Sequence, residues 1–266
     1  MLSFAARGGR FLWSGWAGLS GLCLFAALWQ AGHEAYGSFI LPAPDETVRA
    51  MLALTQSPRN LALVLETGGR ALAGFFFAAT FGTLAGVIAG FHPALLRLAK
   101  PQVTLLLGVP PIAWIVLLMI WFGMGSGTVM ATAAIAALPI VFAGAAEGIA
   151  TRDRGLEAMA HASGLSAPAR LFHISLRQML SSLFPALTMA LGTAFKAAVM
   201  AELIANAGGI GGELAAARAS LDVATALAWV LLSIAALLAV EYGVLHPLRG
   251  AFETWRQAAE PWGVKR

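Results

Sequence analysis

Charge is scarce in this chain: only 11% of its 266 residues are Asp, Glu, Lys or Arg. Hydrophobic residues make up 59% and the mean hydropathy is +0.78, values that exclude an ordinary soluble domain. Cysteine is nearly absent, and Cys23 stands alone within an apolar run, so neither a disulfide framework nor a thiolate metal site can be built. No Cys-x-x-Cys, His-x-x-x-His or nucleophile elbow occurs, and the five histidines are scattered near the ends of apolar runs. These gaps argue against an enzyme, a metal centre or a cofactor site. A glycine-rich loop ending in Lys-Ser or Lys-Thr is also missing; the cluster Gly208 to Gly212 follows an apolar run with neither strand nor lysine beside it. No phosphate-cradling loop is therefore legible in this chain. That cluster reads instead as a short turn back toward the membrane that shapes the mouth of a pathway, or as a plain flexible loop.

What is abundant is uninterrupted apolar sequence. Runs near residues 11–31, 71–91, 102–122, 128–150, 183–204 and 223–245 each supply the roughly 20 residues that a helix needs to cross the hydrocarbon core. The expectation is an all-α, polytopic membrane protein with about six transmembrane helices. The first run follows Arg7 and Arg10 as a signal peptide would, but its apolar core is long and five further spans come after it. Between the first two runs, Leu41-Pro42-Ala43-Pro44 begins an extended stretch. Asp45 to Leu54 and Arg59 to Arg70 follow, both polar enough to lie at the interface.

The basic residues, which set the pI near 9.8, report topology and not nucleic acid, because they are spread over the ends of the runs without interleaved aromatics. With the N-terminus inside, the cytoplasmic set comprises Arg7, Arg10, Arg97, Lys100, Arg152, Arg154, Arg170, Arg177, Arg249, Arg256, Lys265 and Arg266. Only Arg49, Arg59, Arg70 and Arg218 remain outside. The positive-inside rule therefore places both termini in the cytoplasm, together with the charged loop 151–182 between the fourth and fifth spans. Trp13, Trp16, Trp29, Trp114, Trp121 and Trp255 fit interfacial anchoring. Glu147 and Glu241, near cytoplasmic span ends, read as structural.

Gly74, Ala78, Gly82, Gly86 and Gly90 recur every four residues, which sets a stripe of small residues on one helical face for close approach by another backbone. The neighbour is either another helix of the same chain, or a second subunit or path wall. Pro110, Pro111, Pro139 and Pro185 fall in or near spans and favour kinks.

The order of several short motifs carries a family resemblance. They are Leu41-Pro42-Ala43-Pro44, Val109-Pro110-Pro111-Ile112-Ala113, Trp121-Phe122-Gly123-Met124-Gly125 and Leu138-Pro139-Ile140, then Ala201-Glu202 followed by Gly209-Ile210-Gly211. From about Leu41 to Arg256 the chain resembles the membrane permeases of binding-protein-dependent ABC importers, in the branch handling nitrate, sulfonates and taurine. The resemblance implies a type I importer permease core, moved between inward-open and outward-open forms by a cytoplasmic ATP-binding subunit dimer and fed by a periplasmic or extracellular substrate-binding protein. It also implies a second permease subunit, read as a homodimer in the bacterial inner membrane.

In that family the cytoplasmic loop carries a coupling motif of glutamate, alanines and a later glycine, the EAA motif. Gly164-Leu165-Ser166 looks like the glycine turn, with Ala160 four residues before it. Glu157 stands one position before Ala158, where the glutamate is expected, and Arg177 stands where a proline is usual. By resemblance Glu157, Ala158, Ala160, His161, Gly164, Ser166 and Arg170 would meet the ATPase. The residues themselves suggest a knob: Leu156 to Ser163 as one short helix, a turn at Gly164, and Pro168 to Met179 as a second. Without an ATPase the same segment would be an amphipathic element touching lipid headgroups.

Lys196 lies well inside the fifth span, where an ammonium costs a few kcal/mol unless it is solvated or paired. It shares a stripe with Gly192 and Met189. Either it lines the translocation path and favours an anionic or electron-rich solute, or it is a structural lysine paired with a buried carboxylate such as Glu202, or it snorkels outward. The resembling permeases more often have an aliphatic residue here. The expected organisation is a peripheral first helix and external segment over 1–70, a permease core over 71–250, and a cytoplasmic tail over 251–266. The competing function is an ATP-independent secondary transporter or channel, for which the spans offer few coupling groups.

Overall fold

The computed structural model describes the backbone of residues 2–245 and the side chains of residues 16 and 18–243. The side chains of Arg7, Arg10 and Trp13, together with Arg249, Trp255, Arg256, Lys265, Arg266 and the 251–266 tail, lie outside what is described. Every described element is helical. In order they are α1 (Leu2–Tyr36), α2 (Pro44–Thr55), α3 (Pro58–Phe91), α4 (Pro93–Gly108), α5 (Pro111–Phe122), α6 (Ser126–Ala150), α7 (Arg154–Ala162), α8 (Ala167–Arg170), α9 (Leu176–Ala205), α10 (Gly209–Ala219) and α11 (Val223–Val240). A π-helical turn, Leu171–Ser175, joins α8 to α9, and another, Glu241–Leu245, follows α11. Proline opens α2, α3, α4 and α5, positions where its missing N–H costs no intrahelical bond.

Four helical stretches among the described residues are long and apolar enough to cross a membrane: Pro58–Phe91, Ser126–Ala150, Ala167–Ala205 and Val223–Gly243. α4 and α5 qualify as a fifth only as a pair, bent by 93°. The single span expected over 102–122 is therefore broken. Val109 and Pro110 are extended, and neither Pro110 nor Pro111 can donate a backbone hydrogen bond, so the helix stops and restarts in a new direction. α1 is 35 residues long but is outside this set. α3 runs without a break through Arg59 to Arg70, so residue 70 lies within a helix and not at an element boundary.

The core is the stack of α3, α6 and α9. The small-residue stripe of α3 meets α6 of the same chain. A Cβ added at Gly74 would lie 2.6 Å from that of Ala133, at Gly86 2.6 Å from the Phe142 carbonyl, and at Gly90 2.6 Å from the Ile149 Cβ. α6 repeats the device toward α9, where Gly144 abuts Ala186 and Gly148 abuts Met179. Close backbone approach of this kind substitutes for the hydrophobic effect, which does not separate one apolar helix from another in lipid. α1 touches the rest mainly through its C-terminal end, where the Trp29 indole N–H donates to the Pro42 carbonyl at 2.9 Å and His33 Nδ1 bonds the Leu41 carbonyl at 2.8 Å. The Leu41-Pro42-Ala43-Pro44 motif is thus the clasp that turns the chain from α1 into α2.

Candidate functional site: a charged knob and the faces of α9

The charged loop folds into a compact knob. The Asp153 carboxylate caps α7 by accepting from the N–H groups of Gly155 at 2.7 Å and Leu156 at 3.3 Å. Gly164 ends it with φ of +80°. The Leu165 N–H bonds the Ala160 carbonyl and the Gly164 N–H bonds that of His161, the paired bonds of a Schellman turn. A left-handed residue here explains why glycine is needed. The second half of the loop differs from expectation: α8 and the π-helical turn run straight into α9, making one 39-residue helix, Ala167–Ala205. The segment from Pro168 to Met179 is therefore the first part of the helix that continues into the fifth expected span and not a separate short helix.

Glu157 sits at the joint of this knob. Its Oε1 accepts from the Arg152 Nε at 3.0 Å and from the Ser175 hydroxyl at 2.7 Å. Burial pushes this carboxyl up, but the Ser175 and Arg152 donors and the nearby charges of Arg152 and Arg170 outweigh it and hold it below the usual glutamate range. Arg152 also donates to the Ile149 carbonyl at 2.8 Å, and its guanidinium lies 4.6 Å from the centre of the Phe91 ring. The Asp153 N–H donates to the Gln178 side chain at 2.7 Å. The ends of α3 and α6, the start of α7 and the entry to α9 thus meet in one bonded cluster. Arg152, Asp153, Ser175 and Gln178 carry this bracing, which local motifs do not reveal because their partners lie up to 25 residues away.

Of the other predicted coupling residues, Ala158, His161, Gly164 and Ser166 are exposed, Arg170 is half-buried and Ala160 is buried. Leu156, Met159 and Phe172 expose apolar surface on the knob. A groove of about 340 Å³ between α7 and the start of α9 is lined by Leu156, Met159, Ala160, Leu165, Ile174 and Arg177. An apolar, basic-rimmed knob projecting from a membrane bundle has the chemistry of a docking surface for another protein.

Near the C-terminal end of α9, Glu202 is fully buried and does not meet Lys196. Arg70 Nη1 donates to Glu202 Oε1 at 2.8 Å, while the Thr67 hydroxyl at 2.8 Å and the Gly211 N–H at 3.1 Å donate to Oε2. Arg70 also bonds the Ser126 hydroxyl at 3.0 Å and pairs with Glu66, and the Ile210 N–H donates to Thr67 at 2.9 Å. The Gly209-Ile210-Gly211 motif is explained by this contact. Any Cβ at Gly209 would collide with the Glu202 carboxylate, and one at Gly211 with the Val199 carbonyl. Gly208 and Gly209, both at positive φ, turn the chain so that the N-terminus of α10 lands on that carboxylate. The glycine cluster is therefore an ordered turn and not a flexible loop. The charge count alone does not give Arg70 a partner; its spacing from Thr67, one turn away on the same face, is the local signal of a shared one.

Lys196 and Met189 are exposed on α9, with Gly192 half-buried between them. Lys196 makes no ion pair among the described residues. No three His, Cys, Asp or Glu side chains converge there as a metal would require.

Comparison with known proteins agrees with this geometry. Residues 82–246 match the family described as binding-protein-dependent transport system inner membrane component. The taurine transport system permease protein TauC of Escherichia coli is 27% identical over 200 residues, covering 71% of this chain and 72% of its own. The nitrate import permease protein NrtB of Synechococcus elongatus is 27% identical over 205 residues, covering 71% and 72%. A solved structure of the MetNI methionine ABC transporter in inward-facing conformations aligns with a TM-score of 0.57 at 18% identity, over 77% of this chain and all of that one. That likeness shows a shared type I importer permease fold.

Proposed function

The chain belongs to the binding-protein-dependent transport system inner membrane components, and from that premise we propose that it forms the translocation path of an ATP-driven importer and is coupled to a separate ATPase through α7 and α8. The observation that carries the coupling role is the Arg152–Glu157–Ser175 cluster. A force applied to α7 reaches α6 through Arg152 and α9 through Ser175, and α8 is already part of the α9 helix. A closing ATP-binding subunit dimer would thereby tilt the helices of the core as rigid levers and drive alternating access.

The assembly this reading requires has two permease copies about a two-fold axis, because one such bundle does not enclose a path. A soluble binding protein delivers the solute at the outer face. Both termini are cytoplasmic, and nucleotide is bound and hydrolysed by the partner subunits, with no cofactor in this chain. TauC and NrtB are named for taurine and nitrate, small solutes that carry a sulfonate and a nitrate group.

The test is a mild-detergent pull-down of the full chain from its native membrane, with ATP-dependent uptake measured alongside. The expected result is an ATP-binding subunit that co-purifies with the wild type and is lost with Gly164→Val, which cannot hold the positive φ of the turn without strain. Recovery of the chain alone, with uptake indifferent to ATP, would favour a secondary transporter or channel.

A further inference from the structure

α9 has two unlike faces. Leu191, Ala194, Phe195 and Ala198 are buried in the core, where α9 packs on α3 and α6. The opposite face exposes Met189, Lys196 and Met200, with Gly192 and Thr193 half-buried between them. Lys196 is the one charged residue from Gln178 to Ala201, so the exposed stripe is otherwise neutral. Glu202 lies about 9 Å further along the helix and about 120° around it, too far for a pair, and its carboxylate is already held by Arg70, Thr67 and Gly211.

Depth makes this placement informative. Nine residues separate Lys196 from Ala205 at the outer end of α9, about 14 Å of helix, which is near half of a hydrocarbon core about 30 Å thick. That exceeds what a lysine side chain spans, so snorkelling does not rescue a lipid-facing ammonium. In the two-copy assembly the face of α9 that carries it is therefore turned to the two-fold axis and its water and not to lipid. In alternating-access carriers the water-accessible place at mid-membrane is where the solute is held.

We infer that Lys196 is a specificity-determining residue of the translocation path, whose ammonium selects a small oxyanion over neutral and cationic solutes. The inference rests on the importer reading above and deepens it by assigning the solute's charge. The ammonium offers three donors to the oxygens of a sulfonate, carboxylate or nitrate group, and the thioethers of Met189 and Met200 compete only as weak acceptors. In a two-fold assembly, two such ammoniums would flank a single path.

The test measures local charge selectivity without needing the natural solute. In the full chain carrying Cys23→Ser, Met200→Cys places a thiol one turn beyond Lys196. The purified transporter in nanodiscs is treated with the anionic reagent sulfonatoethyl methanethiosulfonate or the cationic trimethylammonioethyl methanethiosulfonate, with and without ATP. Reaction from water is expected, with an anion-to-cation rate ratio about tenfold higher than in the same protein carrying Lys196→Met, and with Lys196→Arg preserving most of that ratio. Lys196→Gln serves the comparison if Lys196→Met does not assemble. A thiol that no reagent reaches in either nucleotide state, or a ratio indifferent to Lys196, overturns the inference. Co-purification of the ATPase is scored separately, and the ratio is read whether or not it is present. Failure of the importer reading and failure of the lysine's role therefore give different results.

Discussion

Arg70 on α3 holds Glu202 on α9 through a 2.8 Å ion pair in which both side chains are shut away from solvent. The pair spans two of the three core helices, and through Gly211 it also fixes α10. Arg70→Met leaves Glu202 buried with no counter-charge and should cost about 3–5 kcal/mol, whereas Glu202→Leu leaves Arg70 its Glu66 partner and should cost less. Thermal unfolding in detergent should show a loss for each single variant, larger for Arg70→Met, with the double variant recovering part of it. Additive losses would show that the two residues do not act as a pair.

The α3–α6 contact should reject volume at chosen glycines only. Gly86→Leu forces side-chain atoms into the Phe142 carbonyl and the Ala145 methyl, and should cost at least about 1–3 kcal/mol by overpacking. Gly68→Ala and Gly69→Ala meet open space and should leave monodisperse yield unchanged in size-exclusion chromatography. Equal yields for all three would contradict the close approach.

Glu157 links acidity to the knob. Its carboxyl is held below the usual range when folded, so it contributes stability that is complete above the ordinary glutamate value. That stability is lost as pH falls through the depressed value. Hydrogen exchange should accordingly show α7 opening more readily on acidification in the wild type. Glu157→Gln should open more readily at neutral pH and lose that acid-dependent step.

At the loop before α11, Asp222 caps that helix by accepting from the Thr225 N–H at 3.0 Å. This bond, with the Thr225 hydroxyl, holds the Asp222 carboxyl below its usual range. Asp222→Ala should destabilise the protein by about 1 kcal/mol. Asp222→Asn should retain most of the capping at neutral pH while losing its charge. Equal melting temperatures for all three proteins would refute the capping role.

Much of this was legible in the chain. The four-residue ladder on α3 implied a close helical neighbour, and Gly164 marked a turn in the loop, because small-residue spacing and glycine conformations are local properties. Other features were not. Pro110 and Pro111 signalled a kink, but a 93° change of direction follows from how α5 packs on α6 and α9, which no local pattern encodes. The positive-inside count treats Arg70 only as a charge near a span end and does not record that its face of α3 meets Glu202.

The sequence by itself determined membrane residence, helical class and the gathering of basic residues at the ends of the apolar runs, since these follow from composition, run length and charge placement, each readable residue by residue. Only the tertiary structure decided which groups meet: Arg70 with Glu202 across 132 residues, Glu157 with Ser175 instead of an open surface, and Lys196 on the exposed face of α9. The physical reason is that a buried charge takes whichever partner the packed backbones bring within about 3 Å. That proximity is set jointly by helices far apart in the chain and by no one of them alone.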